Sequence, residues 1–253
     1  MQVERLINIL EMTALAGRPI SVANLQTATG LPRPTCYRMV QTLAGHRLLE
    51  TTADEDGRYV IGERLIRLAL LGKSDIDVRR ATTGSIKEAA IHLGDATFLA
   101  RLRNKQVEII HVETPDDTSL LFIHPGLGNR PVHACSSAKA ITAFAENGLQ
   151  NDIIGRAFES FNTNTHTSHQ TLMDEFKLIA KRGYAECDEE IQLGISSVAT
   201  AVRFGEIGVT FSVGSVGHAS KYTKATRRKL GEYLNGLTRK VEAAIQLCNV
   251  ASI

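Results

Sequence analysis

The stretch that decides the fold is SVANLQTATGLPRPTCYRMVQTLAGHRLLETTADEDGRYVIG, residues 21–62. Ser21 can cap a first helix whose apolar residues recur at helical spacing, and Gly30 stands where that helix needs a left-handed residue to end. Pro34 suits the first turn of a second helix, because an N–H at that position would be unpaired anyway. The stretch therefore predicts two short helices joined by a Gly-Leu-Pro turn.

A small hairpin follows the second helix. Leu48–Glu50 and Arg58–Ile61 are short strand-like runs, and the polar residues 52–57 between them favour a turn. Two helices and a hairpin in this order are typical of a winged helix-turn-helix, which places its second helix in the major groove of DNA. Helical hairpins with a glycine turn also occur in ordinary packed domains, so the chemistry of the second helix matters to the interpretation.

The second helix leaves a polar face whose side chains can donate to phosphate oxygens and to base edges. No carboxylate occurs between Glu11 and Glu50, while four arginines fall in that window. An acid-free basic window suits a surface that binds phosphate, so the sequence predicts binding to double-stranded DNA. The predicted contacts are Arg33, Thr35, Tyr37, Arg38 and Gln41 of the second helix, together with Arg18 and Arg58.

Length and composition limit the function classes. The 253 residues, 43% of them apolar, are enough for two domains with ordinary cores. The formal charge of +2 is close to neutral, so any affinity for DNA must come from a local patch. No run approaches the roughly 20 apolar residues of a membrane span, and the N-terminus does not lead into a signal-peptide core. We therefore expect a cytoplasmic protein without a membrane partner.

The sequence predicts neither a metal nor a cofactor. The four cysteines are scattered without paired spacing, which indicates free thiols rather than a zinc site or a disulfide frame. His166 and His169 form an i, i+3 pair in a Thr/Ser-rich loop, which supplies too few ligands for a metal sensor. Gly126-Leu127-Gly128 lacks the third glycine and the preceding strand–helix context of a dinucleotide-binding loop.

The other segments predict more helices and a mixed body. Helices are predicted at Val3–Ala16, Glu63–Leu71 and Ile76–Leu93, with a hinge at residues 72–75. The predicted strands of the body are Thr97–Leu102, Gln106–Glu113, Leu120–His124, Tyr184–Cys187, Ser196–Val202 and Glu206–Val216. Its predicted helices are Ser137–Ala145, Thr167–Arg182, which a Thr/Ser cap would start, and Thr223–Cys248. These elements predict an α+β body with an antiparallel sheet flanked by helices.

Four groups of short motifs occur along the chain. They are Gly30-Leu31-Pro32 through Arg38 and on to Leu43, Asp56-Gly57-Arg58-Tyr59 through Gly62, Pro131-Val132-His133-Ala134 leading to Ala138-Lys139-Ala140, and Arg182-Gly183-Tyr184-Ala185 through Glu190 and Gly194 to Ala199. In this order they resemble the isocitrate lyase regulator (IclR) family of bacterial transcription factors, and the resemblance covers the chain from end to end.

The resemblance implies a domain organisation and an assembly. Residues 1–72 would form a winged helix-turn-helix DNA-binding domain and residues 73–94 a linker helix that helps the chain dimerise. Residues 95–253 would form an effector-binding domain similar to the GAF and PAS sensor folds. Relatives of this kind bind palindromic operators as dimers or dimers of dimers and respond to a small molecule.

The resemblance also implies where an effector binds. Its predicted site comprises Arg130, His133, Cys135, Ser136, Ser137, Cys187, Ile195, Ser197, Ser212 and Gly214. The segment Cys135–Ser137 starts a predicted helix, where free backbone N–H groups and the helix dipole favour an anion. The two serines can instead be simple capping residues. Cys187 stands where relatives often have an acidic residue, which favours a less polar pocket and an aromatic or longer-chain carboxylic acid.

Two other interpretations involve the same residues. His133, Cys135 and Cys187 could suggest a thiol nucleophile with a base, but a lone histidine is more often a satisfied core residue than a catalyst, so we do not expect an enzyme. Cys135 and Cys187 could instead sense oxidants, since a helix start increases the thiolate character of a cysteine. A redox-sensing regulator is therefore the alternative to a regulator that senses an organic acid.

Overall fold

The computed structural model describes residues 2–52, 57–115, 124, 126–145, 150, 157–204 and 208–248. The chain divides into two compact units, Met1–Gly72 and Lys73–Ile253. Most of the predicted wing tip (53–56) and of the predicted strand Leu120–His124 lies outside the described residues. No helix in the described part of the chain is both long enough and apolar enough to span a membrane.

The first unit is a winged helix-turn-helix. Its elements in chain order are α1 (Gln2–Leu15), β1 (Ile20–Ser21), α2 (Val22–Thr29), α3 (Arg33–Gly45), β2 (Leu49–Thr51), β3 (Arg58–Ile61) and α4 (Glu63–Leu71). The three strands form an antiparallel sheet in the order β1-β3-β2. The two-residue strand β1 is too short for a periodic sequence pattern, so the sequence did not predict it.

The helix ends of this unit follow from the predicted capping residues. The Ser21 side chain accepts a hydrogen bond from the backbone N–H of Asn24 at 3.2 Å. Gly30 ends α2 at a φ of 68°, in the left-handed region that favours glycine, and its N–H donates to the Gln26 carbonyl. Pro34 lies in the first turn of α3. The predicted Gly-Leu-Pro turn between the two helices is therefore confirmed.

The second unit is built on one five-stranded antiparallel sheet. Its elements are α5 (Asp75–Leu93), β4 (Ala96–Arg103), β5 (Gln106–Glu113), α6 (Ser136–Ala143), α7 (His169–Arg182), β6 (Ala185–Asp188), β7 (Ile195–Arg203), β8 (Val209–His218) and α8 (Lys224–Leu247). The strand order is β5-β4-β8-β7-β6. The predicted α+β class with an antiparallel sheet flanked by helices is confirmed.

Most predicted elements of this unit occur within a few residues of their expected ends. The start of α7 differs from the prediction in one respect: Ser168 is its N-cap residue, but no side chain caps the helix there. At the start of α8, by contrast, the N-cap side chain does cap the helix: the Thr223 hydroxyl accepts a hydrogen bond from the Thr226 N–H. Of these two helix starts, only that of α8 uses the side chain of its N-cap residue.

The register of the sheet decides which residues share its faces. Phe98 on β4 pairs with Gly214 on β8, which pairs with Ala199 on β7. Because side chains alternate along each strand, these residues share one face. Phe98 and Ala199 belong to a hydrophobic core that also contains residues of α6 and α7. Helices α5 and α8 also contact the central strands.

Candidate functional sites

One face of α3 is exposed and carries the predicted DNA contacts. Cys36, Met39, Val40 and Leu43 are buried on its other side. The helix therefore packs through an apolar stripe and presents a polar face. Among the predicted contacts, those that are exposed are Arg33, Tyr37, Arg38 and Gln41 on α3, with Arg18 and Arg58 outside it, while Thr35 is half-buried.

The arginines of this face have no acidic partners in the described part of the chain. Neither Arg33 nor Arg38 forms a salt bridge with a described residue. Both guanidinium groups can therefore donate to phosphate or to a base without first breaking an internal ion pair.

Gln41 differs from the other residues of the face because the wing holds it. Its amide Nε2 donates to the hydroxyl oxygen of Tyr59 on β3 at 2.9 Å. Tyr59 is buried in the core of the unit and is only 5% exposed. A side chain predicted to contact DNA is thus hydrogen-bonded to a buried residue of the winged domain.

The second unit contains a cavity of about 60 Å³ on the α6 side of its sheet. It is lined by Phe98, Ile109, Arg130, Cys135, Cys187, Ile191, Gln192, Ile195, Ser197 and Val216. Five of these were predicted from the sequence: Arg130, Cys135, Cys187, Ile195 and Ser197. The structure thus brings half of the predicted effector residues together around one cavity.

Three other predicted residues do not belong to this lining. Ser136 is fully buried, and its hydroxyl forms a 2.7 Å hydrogen bond with the hydroxyl of Ser197. The Ser137 hydroxyl forms a 3.0 Å hydrogen bond with the Cys135 thiol. The His133 ring forms a 2.8 Å hydrogen bond with the Glu159 carbonyl and stacks on Phe158. Ser136 and Ser137 therefore each bond a residue of the lining, whereas His133 packs against a segment outside it.

The last two predicted residues, Ser212 and Gly214, lie on β8. The Ser212 hydroxyl is buried and has no hydrogen-bond partner among the described residues. A Cβ atom at Gly214 would overlap the Phe98 ring and lie 2.7 Å from the Val198 carbonyl oxygen. Gly214 is therefore needed so that the Phe98 ring can lie across β8 and line the cavity.

Arg130 gives the cavity its charge. It is the one charged residue of the lining, and its Nε is buried without a hydrogen-bond partner in the described structure. Its backbone N–H donates to the Val107 carbonyl at 2.7 Å, which fixes the chain at this point. Cys135, the N-cap residue of α6, also lines the cavity, and no side chain caps that helix. A guanidinium and a helix N-terminus together favour an anion.

One of the two thiols that line the cavity, that of Cys187, is buried beside a carboxylate. Burial and the nearby Glu190 carboxylate raise the pKa of Cys187 to about 12, so this thiol stays protonated at neutral pH. A protonated thiol is a poor nucleophile and reacts slowly with oxidants. Cys187 therefore weighs against a thiol enzyme and against the redox alternative, although it shares a cavity with Cys135.

A buried ion network lies beside the cavity. Lys139 on α6 is 0% exposed, and its ammonium contacts both oxygens of Glu190 at 2.7 and 2.9 Å and one oxygen of Glu175 at 2.9 Å. Burial alone would lower the pKa of Lys139, but the two carboxylates raise it above its ordinary value. The amine therefore stays charged in the folded chain.

The same carboxylates lie near a histidine in an arrangement that resembles a metal site. Ligand atoms of His166, Glu175 and Glu190 lie within 4.8 Å of one another. Lys139 already bridges both carboxylates, so a divalent cation there would face a fixed positive charge at close range. His169, the other histidine of the predicted pair, packs against Phe158 instead. This cluster is an internal ion network rather than a metal-sensing site.

The sequence missed half of the lining, for two different reasons. Phe98, Ile109 and Val216 are ordinary strand residues, and only the register of the sheet reveals that they face the cavity. Ile191 and Gln192 lie between β6 and β7. No helical or strand period marks the residues of an irregular segment.

Two family models match this chain. The model described as the bacterial transcriptional regulator IclR C-terminal domain matches residues 72–243, and that of the IclR helix-turn-helix domain matches residues 2–53. The chain belongs to the IclR family. The expected resemblance is therefore confirmed.

Individual IclR-family proteins support the assignment. The chain is 25% identical over 202 residues to the transcriptional regulator XynR of Escherichia coli K12, covering 79% of each protein. It is 24% identical to the transcriptional repressor AllR of the same organism, covering 96% of this chain and 90% of AllR. A solved IclR homologue from Microbacterium hydrocarbonoxydans, complexed with 4-hydroxybenzoate, shares the fold with a TM-score of 0.61 and 20% identity, covering 97% and 99% of the two chains.

These relatives are transcriptional regulators and not enzymes. The chain is accordingly a ligand-responsive IclR-family transcriptional regulator with a DNA-binding helix-turn-helix, and the expectation that it is not an enzyme is confirmed.

Proposed function

We propose that this regulator binds a palindromic operator as a dimer or a dimer of dimers and changes its affinity when a small carboxylic or aromatic acid occupies the cavity of the second unit. The observation that carries this proposal is Arg130, the single charge among the described residues that line the cavity. A carboxylate there would gain charge-assisted hydrogen bonds.

The rest of the lining favours an acid with an apolar body. Phe98, Ile109 and Val216 offer aromatic and aliphatic surface, while Ser197 and Gln192 can bond a second polar group. The homologue solved with 4-hydroxybenzoate binds an acid that combines these features, a carboxylate and a hydroxyl on an apolar ring. An acid of this chemical type fits this lining.

The proposed contacts to DNA lie on α3. Arg38 and Gln41 are exposed one turn apart, with Arg33 at the start of the helix. In a helix-turn-helix, the N-terminal residues of the recognition helix and the turns that follow contact base edges and phosphates in the major groove. Thr35, Tyr37, Arg18 and Arg58 would add contacts around them.

The proposed dimer uses the linker helix. Residues 73–94 follow the boundary between the two units, and α5 leaves the apolar residues Ile76 and Ile91 exposed at 62% and 61%. Exposed apolar residues on a helix favour contact with a second helix. Residues 1–72 and 95–253 would then be the DNA-binding and effector-binding domains.

The mechanism requires that the effector prefers one arrangement of the dimer. An acid can change operator affinity only by as much as its own affinity differs between the DNA-binding and the free arrangement. Acids that bind in the same pose should therefore all raise operator affinity or all lower it.

The test combines an operator with a panel of acids. An operator is selected from random DNA with the full chain, and its affinity is titrated with benzoate, 4-hydroxybenzoate and short aliphatic acids. Arg130→Gln should keep operator affinity but weaken the response to an active acid at least tenfold, because a charged hydrogen bond is lost. Lys177→Gln removes an exposed positive charge of the same unit and should change nothing.

Two outcomes would overturn the proposal. One is an unchanged acid response in Arg130→Gln. The other is a response to peroxide that Cys135→Ser or Cys187→Ser abolishes, with no response to any acid, which would establish the redox alternative.

A further inference from the structure

We propose that Tyr59 is a positioning residue for base recognition: its buried hydroxyl holds the Gln41 amide so that Gln41 selects adenine at one position of each half-site. The inference rests on the proposed placement of α3 in the major groove. It concerns a residue of the wing that was not among the predicted contacts.

The Tyr59 ring is held firmly. Its strand β3 is the central strand of the small sheet, and Tyr59 pairs with Ile20 on one side and Thr51 on the other. The side chain belongs to the hydrophobic core that also contains Val40 of α3. The hydroxyl therefore has a fixed position relative to α3.

Gln41 takes its orientation from that hydroxyl. Gln41 is exposed, but its amide Nε2 donates to the Tyr59 hydroxyl oxygen at 2.9 Å. An exposed glutamine without such a bond samples many rotamers and loses that freedom when it binds a base. The bond to Tyr59 restricts the amide before DNA arrives, so less freedom is lost on binding.

The groups that remain on the amide match one base. Nε2 has two N–H groups, and one of them is used by Tyr59, so the other N–H and the Oε1 acceptor are left. In the major groove, adenine presents an acceptor at N7 beside a donor at N6, and glutamine pairs with both. Guanine presents two acceptors there and cannot satisfy Oε1.

The neighbouring residues of α3 have a different role. Arg38 lies three positions earlier, on the same exposed side, and has no ion pair among the described residues. Arginine bonds guanine or phosphate. Substitutions at Arg38 and at Gln41 should thus alter different features of operator binding.

The experiment compares base preference at every operator position. A library of half-sites is selected with the full parent chain, with Gln41→Ala, with Tyr59→Phe and with Tyr233→Phe, and bound and unbound pools are sequenced. Tyr233→Phe removes a tyrosine hydroxyl from α8 in the other unit. Melting temperatures establish that each variant is folded.

The expected result is specific to one position. Gln41→Ala should lose the adenine preference there, and Tyr59→Phe should reduce the same preference about threefold to tenfold, as expected for one hydrogen bond. Preferences at the other positions, and the whole Tyr233→Phe profile, should match the parent. NMR relaxation should also show that the Gln41 side-chain amide becomes as mobile in Tyr59→Phe as the amide of an exposed glutamine without a hydrogen bond.

Several results would overturn the inference. A Tyr59→Phe profile identical to the parent, or an equal loss of affinity for all sequences, would make the hydroxyl purely structural. If Tyr59→Phe fails to fold, Gln41→Glu decides. The Tyr59 hydroxyl, which accepts from the glutamine amide, can turn and donate to the new carboxylate, and the other carboxylate oxygen should then change the preference at that position from adenine to cytosine. An unchanged preference refutes the inference. A parent that selects no sequence would instead refute the proposed operator binding, and the inference with it.

Discussion

Replacing Lys139 by Met should destabilise the second unit by about 3–5 kcal/mol at neutral pH, the usual loss when one partner of a buried ion pair is removed. The ammonium is 0% exposed and contacts three carboxylate oxygens within 2.9 Å. At an effective dielectric constant of about 20, unit charges about 3 Å apart attract by roughly 5 kcal/mol. Met replaces the four-carbon stem of Lys with an unbranched apolar chain of the same number of atoms and omits only the ammonium, so the charge accounts for most of the loss.

The loss should depend on pH. Burial raises the pKa of Glu190 above its ordinary value in the folded chain, and Lys139 opposes that shift. Without the ammonium, Glu190 takes up a proton at a still higher pH, while the unfolded chain takes it up only at lower pH. A folded state that binds more protons becomes more stable as the pH falls, so Lys139→Met should recover part of its stability between pH 7.5 and 5.

Urea unfolding followed by far-UV circular dichroism measures the effect, since the chain has no tryptophan. Lys177→Met is the matched control, because Lys177 contacts Asp174 at the same 2.9 Å but both side chains are exposed. Exposed ion pairs contribute little, so the control should unfold like the parent. A loss below about 1 kcal/mol for Lys139→Met, or a loss that does not change with pH, would refute the reasoning.

Three further predictions concern DNA binding, the cavity and the start of α5. Arg38→Ala should weaken operator binding by about 1–3 kcal/mol in a gel-shift titration and leave the melting temperature unchanged, because Arg38 is exposed. Gly214→Ala should destabilise the chain to urea by about 1–3 kcal/mol and weaken acid binding, since the new Cβ displaces the Phe98 ring. Arg101→Met should leave acid binding intact by calorimetry while reducing the effect of the acid on operator affinity, because the buried Arg101 holds the start of α5.

Local chemistry made the winged domain predictable. Ser21, Gly30 and Pro34 each act within a few residues, through a cap, a left-handed turn and a missing N–H. The same kind of local information predicted the helices of the body and the approximate strands. Local rules do not specify strand order, so the arrangement β5-β4-β8-β7-β6 could not be derived from propensity alone.

The candidate sites were predictable to unequal degrees. The exposed face of α3 follows from helical periodicity, but its bond from Gln41 to Tyr59 joins residues 18 positions apart and has no local pattern. In the body, Cys187 lines the cavity beside Ser197 and Val216 because β6, β7 and β8 pair in register. The role of Ser136 and Ser137 at the ligand stays a prediction; both hydroxyls form hydrogen bonds with neighbouring side chains, which no local sequence pattern indicates.

The strand β4 connects the cavity with the beginning of α5. Phe98 faces the cavity, and Arg101, three residues later, points to the opposite face of the sheet because side chains alternate along a strand. There it donates to the Lys73 carbonyl at 2.8 Å and to Asp75 at 2.6 Å, where the second unit and α5 begin. An effector that contacts Phe98 therefore acts on the strand that holds α5. Because Arg101 lies outside the cavity, the Arg101→Met variant separates this connection from effector binding itself.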